Sequence, residues 1–187
     1  MGGSLDVRRS AGIGFGDVMQ QAHRCVHASK GKTMKGRLLG LFLATVHLCA
    51  WTCTDPAQQA LMVDSLFADQ EYLQFVCGSE TCDKAVFMDR LEFRSEKLND
   101  LGDVTGCFVE PQRKATNFFT GFFVVKDGVA ALQFIFFGSG MGPTKRSRLG
   151  LRGVVSSEIA EHGDTVEHTF QWDGARYVET GSKSLKW

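Results

Sequence analysis

The sequence predicts one α+β domain, in which an N-terminal helix packs on an antiparallel sheet with hairpins. Over residues 56–75, apolar side chains recur at steps of three to four residues, which is typical of an amphipathic helix. The apolar runs 117–125 and 129–137 flank the dipeptide Asp127-Gly128. An Asp-Gly pair between two such runs predicts a tight β-hairpin, because its turn needs positive φ angles.

Weaker signals complete the predicted sheet. The further elements are a strand or short helix at 85–93, a turn at 98–103, strands at 149–157 and 165–172, and a second Asp-Gly hairpin turn at 173–174 leading into 175–178. The polar tail at 181–187 is expected to fray.

The segment 34–52 has the pattern of a secretory signal peptide. Lys35 and Arg37 form a positive start, residues 38–48 are apolar, and small residues around Ala50 suit cleavage. The apolar run is too short to span a membrane, and a buried core helix is the alternative interpretation. The predicted organisation is a leader at 1–33, a signal peptide at 34–52, one domain at 53–180 and a tail at 181–187.

Residues 1–33 are rich in small and basic side chains and show little apolar periodicity. Three interpretations remain open, of which we favour the first: an over-extended gene start before Met34, a presequence, or a genuine basic tail. In each case we expect poor order, because small and basic residues dominate the segment and its apolar residues follow no regular spacing.

The balanced overall charge hides an acidic domain. Of the 21 basic and 21 acidic residues, seven basic and two acidic ones precede Asp55, which leaves 14 basic and 19 acidic residues in the remainder. General nucleic-acid binding needs an excess of Lys and Arg to displace counterions, so it is not expected.

Four of the six cysteines follow the predicted signal, namely Cys53, Cys77, Cys82 and Cys107, and they permit three pairings. Export exposes them to an oxidising compartment. Cys77 and Cys82 enclose a short glycine-containing loop, so we expect the pairs Cys77–Cys82 and Cys53–Cys107. A C-x4-C pair supplies too few ligands for a metal, and neither a metal nor another cofactor is predicted. The bulky Trp51 argues against a lipid anchor on Cys53.

Residues 138–148 combine a glycine-rich start with the basic side chains Lys145, Arg146 and Arg148. No Gly-Lys-Ser/Thr sequence follows the glycines, which excludes a P-loop. We predict an exposed loop that contacts an acidic partner, with Glu80 in the 77–82 loop as a further contact.

One region collects residues that could do acid/base chemistry. Its members are Ser156, Glu158, Glu161, His162, Asp164, Glu167 and His168. A serine, a histidine and a carboxylate are the ingredients of a triad, yet neighbouring strand residues such as Glu167 and His168 face opposite ways. No catalytic residue is therefore predicted.

Two motifs carry a resemblance to known proteins. The C-G-x-x-x-C loop at 77–82 and the W-D-G-x-x-Y hairpin at 172–177 resemble small exported proteobacterial proteins of poorly defined function. The C-x4-C spacing is also similar to that of periplasmic inhibitors of vertebrate lysozyme, whose bridged loop enters the lysozyme cleft. Here the loop reads Gly-Ser-Glu-Thr and lacks the histidine of those inhibitors.

These features predict a periplasmic or secreted binding or inhibitor protein, with no enzyme activity, that acts on a protein partner such as a cell-wall hydrolase or a secreted toxin. The alternatives are a small periplasmic hydrolase that uses residues 156–168 and a structural accessory of an envelope complex. A binder should present a rigid exposed segment, whereas an enzyme should gather polar groups in a pocket.

The export hypothesis makes a direct prediction. N-terminal sequencing of the protein isolated from its host should find a start between Trp51 and Asp55, because cleavage would follow the small residues near Ala50. Intact residues 1–50 on cytoplasmic protein would contradict export.

Overall fold

The computed structural model describes residues 53–78, 83–160 and 162–185. These residues contain three helices, α1 (Pro56–Phe67), α2 (Gln70–Cys77) and α3 (Lys84–Met88). Eight strands follow: β1 (Leu91–Lys97), β2 (Val104–Pro111), β3 (Phe118–Lys126), β4 (Val129–Gly138), β5 (Gly140–Arg148), β6 (Leu151–Ile159), β7 (Thr165–Trp172) and β8 (Tyr177–Leu185).

The strands form two four-stranded antiparallel sheets. Sheet A has the order β1-β2-β3-β4 and sheet B has the order β5-β6-β7-β8, so each sheet follows the chain without a crossover. Ser139 alone separates β4 from β5. The described part of the chain is therefore mostly β, with two sheets where the sequence predicted one.

The predicted hairpins are present, and the predicted helix is divided. Asp127 and Gly128 join β3 to β4 with φ angles of 50° and 78°. The helix predicted over 56–75 breaks after Phe67 because the Asp69 side chain accepts a hydrogen bond from the Tyr72 backbone N–H and so caps a new helix. The ambiguous segment 85–93 contains both alternatives, since α3 ends in it and β1 begins in it.

Three sequence-based expectations are wrong. The segment 138–148 is not a loop, because residues 140–148 pair with β6 as a strand. The tail from residue 180 continues as β8 up to Leu185, paired with β7. Strand β2 was not predicted at all. An edge strand tolerates polar side chains along its open side. The glycine, proline and charged residues of strands such as β5 and β8 are also typical of loops, so sequence patterns do not identify these strands.

A first cluster of buried residues lies around the disulfide between Cys53 and Cys107, whose Cα atoms are 5.7 Å apart. It comprises Cys53, Met62, Val63, Leu66, Phe67, Tyr72, Leu91, Cys107, Val109, Phe123 and Val125. The disulfide spans 54 residues, a length for which the chain-entropy model gives a stabilisation of about 4 kcal/mol. The predicted Cys53–Cys107 bond is thus present.

A second cluster of buried residues joins the two sheets. Sheet A contributes Leu98, Val104, Phe108, Phe122, Val124 and Phe136, whereas sheet B and its turns contribute Met141, Leu151, Val154, Phe170 and Tyr177. The Phe108 and Phe122 rings stack with centroids 5.0 Å apart. A Cβ on Gly106 would lie only 3.0 Å from the Phe122 ring, so glycine leaves the space that this ring fills.

The predicted packing of the first helix on the sheet can be tested by exchanging side-chain volume. A Cβ on Gly121 of β3 would lie 2.5 Å from Cδ2 of Leu66 in α1. We expect Leu66→Ala to lower the free energy of unfolding by about 2–5 kcal/mol. Gly121→Ala alone should lower it by about 1–3 kcal/mol through overpacking.

The double variant should lose less than the sum of the two single losses, because the added methyl group occupies space that Leu66 vacates. Urea titrations of the four proteins measure this coupling. Additive losses would show that the two side chains are not in contact.

Candidate interaction site

The predicted basic residues lie on the edge of sheet B. Lys145, Arg146 and Arg148 are exposed on β5, which pairs with β6 on one side. Glu80, the fourth predicted contact, lies outside the described residues. The basic side chains therefore belong to a strand and its hairpin turn, and not to a free loop.

The pairing of β5 with β6 is irregular between Pro143 and Ser147. The Thr144 hydroxyl donates a hydrogen bond to the Arg146 carbonyl oxygen at 3.1 Å inside this stretch. Irregular pairing of this kind bends a strand and changes the direction of its side chains. Lys145 and Arg146 lie within the irregular stretch, so their direction differs from that of a regular edge strand.

The three basic side chains are uncompensated. Within residues 53–78, 83–160 and 162–185, none of Lys145, Arg146 and Arg148 forms an ion pair. By contrast, Arg152 on the neighbouring strand reaches Asp100 at 3.1 Å. The edge of β5 therefore offers positive charge that a partner's acidic groups can meet.

Leu149 lies at the tip of the same hairpin in an unfavourable conformation. Leu149 and Gly150 have φ angles of 51° and 83°, nearly those of Asp127 and Gly128 in the β3–β4 turn. Aspartate tolerates positive φ, whereas leucine rarely adopts it. Leu149 also remains 65% exposed, so burial does not offset this cost. We call Lys145, Arg146, Arg148 and Leu149 the basic hairpin.

The base of the basic hairpin is held by hydrogen bonds. The Arg152 backbone N–H donates to the Leu98 carbonyl oxygen at 2.7 Å, and the Tyr177 hydroxyl donates to the Arg152 carbonyl oxygen at 2.7 Å. Burial raises the pKa of the Tyr177 hydroxyl well above its usual value, so the hydroxyl stays a donor. An exposed tip on a well-anchored base is the usual construction of a recognition segment.

The basic hairpin lies at the far end of β5 from the described residues that precede the predicted 77–82 loop. The Phe75 ring of α2, two residues before Cys77, lies 5.4 Å from Phe137, near the end of β4. Strand β5 begins there at Gly140, and its end at Arg148 pairs with Leu151, six residues along β6 from the partner of Gly140, about 20 Å at 3.3 Å per residue. Cys77 is itself disulfide-bonded, while Cys82 lies outside the described residues, so the Cys77–Cys82 pairing stays a prediction.

The ingredients of the alternative hydrolase site are only partly brought together. Ser156 is buried, and its hydroxyl donates to the Gly140 carbonyl oxygen at 2.9 Å. Neither His162 nor Asp164 forms a side-chain hydrogen bond with Ser156 among the described residues. Glu161 lies outside them. A triad of Ser156, His162 and Asp164 is therefore not assembled.

His168 instead lies between two carboxylates. Its Nδ1 atom is 2.8 Å from Oε1 of Glu179, and its Nε2 atom is 3.7 Å from Oε1 of Glu158. The ring centroid of Phe136 lies 5.0 Å from that of His168. Glu179 was missed because it lies between the predicted segment 175–178 and the predicted tail, and its place on β8 was not foreseen.

This arrangement pairs a base with an orienting carboxylate, but Ser156, the serine of the triad considered above, is buried. Glu167 pairs in register with Lys183 and lies one residue from His168, on the opposite face of the strand, as predicted. No group of three or more metal-ligating side chains occurs in the part of the chain that the structure describes.

A buried carboxylate, also missed, links the two sheets. Glu110 on β2 accepts hydrogen bonds from Arg94 at 3.1 Å and from Lys114 at 2.6 Å. Arg94 lies over the Phe108 ring and also donates to the Met141 carbonyl oxygen of sheet B. Both oxygens of Glu110 are occupied, so the group is structural. The feature of the sequence that could have revealed this group is a glutamate within the apolar stretch 107–111.

No family model, curated protein or solved structure significantly matches this chain.

The conformation of Leu149 can be tested by stability measurements. Asparagine adopts positive φ at a lower cost, so Leu149→Asn should raise the free energy of unfolding by about 1 kcal/mol. The matched change Asp127→Leu places leucine at the same position of the β3–β4 turn and should lower it by about the same amount. Urea titration measures both. A loss of stability in Leu149→Asn would show that the leucine is retained for packing.

Proposed function

We propose that this protein is an exported binding or inhibitor protein that contacts a protein partner through the basic hairpin. The observation that carries the proposal is the exposed Leu149, held at positive φ directly after basic side chains that form no ion pair among the described residues. A strained and exposed apolar residue lowers stability without a gain inside the domain. A contact between Leu149 and a partner protein is our explanation for the presence of this residue at a position where it lowers stability.

The charge distribution supports a protein partner with an acidic rim. From Asp55 onward acidic residues outnumber basic ones, so a general attraction to polyanions is not favoured. Three basic side chains cluster on β5, next to the exposed Leu149. The complementary surface is an apolar hollow flanked by carboxylates. A cell-wall hydrolase or a secreted toxin is the partner class that we propose.

Export and rigidity belong to the same proposal. A disulfide that ties the segment before α1 to β2 suits an oxidising compartment, periplasmic or extracellular. None of the described helices is long and apolar enough to cross a membrane. We further propose that α1 covers sheet A and stiffens the scaffold behind the hairpin. The resemblance to small exported proteins and lysozyme inhibitors stays part of the proposal, with Glu80 as a separate contact.

Two alternatives have weaker support. The hydrolase interpretation gains the contact between His168 and Glu179, which could orient a general base. Ser156, the serine of that interpretation, is buried. A structural accessory of an envelope complex would also use the basic hairpin, but it would show no effect on a hydrolase or toxin.

Charge reversal tests the proposal. The secreted protein is used to capture partners from envelope extracts, and each captured partner is purified and titrated. Arg146→Glu with Arg148→Glu should raise the Kd at least tenfold, equivalent to about 1.4 kcal/mol, because like charges would then face the acidic rim. The effect should be larger at low salt, where screening is weaker.

The matched control is Lys126→Glu with Lys183→Glu, which makes the same charge change at exposed residues outside the hairpin. Both doubles should keep the thermal stability of the unchanged protein. Inhibition of peptidoglycan lysis by the partner hydrolase gives the functional readout. Normal binding by the hairpin variant, together with a hydrolytic activity that His168→Ala abolishes, would overturn the binder proposal in favour of the hydrolase.

A further inference from the structure

Strand β4 lies at one edge of sheet A and carries no charged side chain. Its ten residues, Val129–Gly138, include no Asp, Glu, Lys, Arg or Pro. In the order of sheet A, β4 pairs with β3 and with no other described strand. An apolar edge strand of this length presents unpaired backbone N–H and C=O groups and invites pairing with another chain.

The other three edges are protected in the usual ways. Charged residues and proline lie on these strands: Glu92, Arg94, Glu96 and Lys97 on β1, Pro143, Lys145, Arg146 and Arg148 on β5, and Glu179 and Lys183 on β8. Strand β4 has a single such device, an irregular register opposite Phe122 and Phe123. The contrast within one chain singles out β4.

Burial agrees with an open edge. Every residue from Val129 to Ile135 is partly exposed, whereas β3 beside it is buried at seven of its nine positions. At the end of β4, Phe137 is 37% exposed and Phe75 of α2 is 58% exposed. Their ring centroids lie 4.9 Å and 4.5 Å, respectively, from that of Phe119. The open edge therefore adjoins an exposed aromatic patch formed by Phe75, Phe119 and Phe137.

We propose that β4 pairs antiparallel with β4 of a second copy of this chain, so that two A sheets join into one continuous sheet and the aromatic patches become buried. Antiparallel pairing of a strand with itself satisfies a two-fold axis. Because β4 has no charge, self-pairing opposes no like charges. Self-pairing of β5 would bring its arginines and lysine together.

The second copy is favoured over a different partner by the nature of the surface. A partner segment selected by charge would need a charged counterpart, which β4 does not offer. The dimer does not depend on the proposed function, because the basic hairpin lies about 20 Å further along sheet B, by strand rise, and stays free. Failure of one proposal would leave the other untouched.

Sedimentation equilibrium of the purified secreted protein tests the dimer. The unchanged protein should sediment at twice the monomer mass at micromolar concentration. Phe137→Lys should raise the dimer dissociation constant at least tenfold, since each lysine would then be buried against the start of the partner copy's β4. Phe75→Ser should weaken the dimer without placing charge on the strand. Leu61→Lys is the matched control, because Leu61 is equally exposed, at 57%, and makes none of the ring contacts of the patch.

Hydrogen exchange locates the interface. Amides of β4 should exchange faster on dilution, while amides of β5 and β8 should not change. Circular dichroism and thermal melting confirm that each variant is folded. If the protein stays monomeric at all concentrations up to about 100 μM, the proposal is overturned, because a dimer with a higher dissociation constant is too weak to be relevant. A dimer that Phe137→Lys leaves intact, open-ended aggregation, or protection of β4 only by a different protein would also overturn it.

Discussion

Burial of β3 on both faces is the constraint on which the rest of the structure depends. Phe123 belongs to the cluster around the disulfide, and Phe122 belongs to the cluster between the sheets. Neighbouring strand residues face opposite ways, so one apolar strand needs two coverings. Sheet B supplies one of them, and buried residues of α1 and α2 join the other cluster. Gly106 and Gly121 leave the room for Phe122 and Leu66.

This constraint also explains which part of the fold the sequence could reveal. The runs 117–125 and 129–137 are apolar because both faces of β3 are covered, and Asp127-Gly128 marks the turn without help from tertiary structure. Strand β5 and the part of β8 beyond Val178 could not be predicted by the same reasoning. Their polar side chains are allowed by exposed edges, and their strand state comes from pairing with β6 and β7, which no local pattern records.

The candidate site shows the same division. The basic side chains could be found from the sequence because charge needs no structural context. Leu149 could not be found, because its interest lies in a φ angle and an exposed side chain that the sequence does not reveal. Glu179 was missed for the other reason: its contact with His168 requires β8 to be a strand. Buried Glu110 could be found in part. A carboxylate in an apolar stretch predicts a charged or hydrogen-bonding partner, but the sequence does not show which residue that partner is.

The open edge of β4 and the basic hairpin could act in the same complex, because they are separate surfaces. Each lies on a different sheet, and the two are separated along β5, so one surface can be occupied without blocking the other. A two-fold dimer through β4 would carry two basic hairpins on one rigid body. If a partner presented two acidic sites at a matching distance, the second contact would form at a high effective concentration, and avidity would exceed the affinity of one hairpin. A dimer interface without charge also leaves the basic side chains of both hairpins free to meet a partner. Each complex would thus gain binding free energy at two Leu149 side chains, and this gain would offset the folding stability that each of them costs.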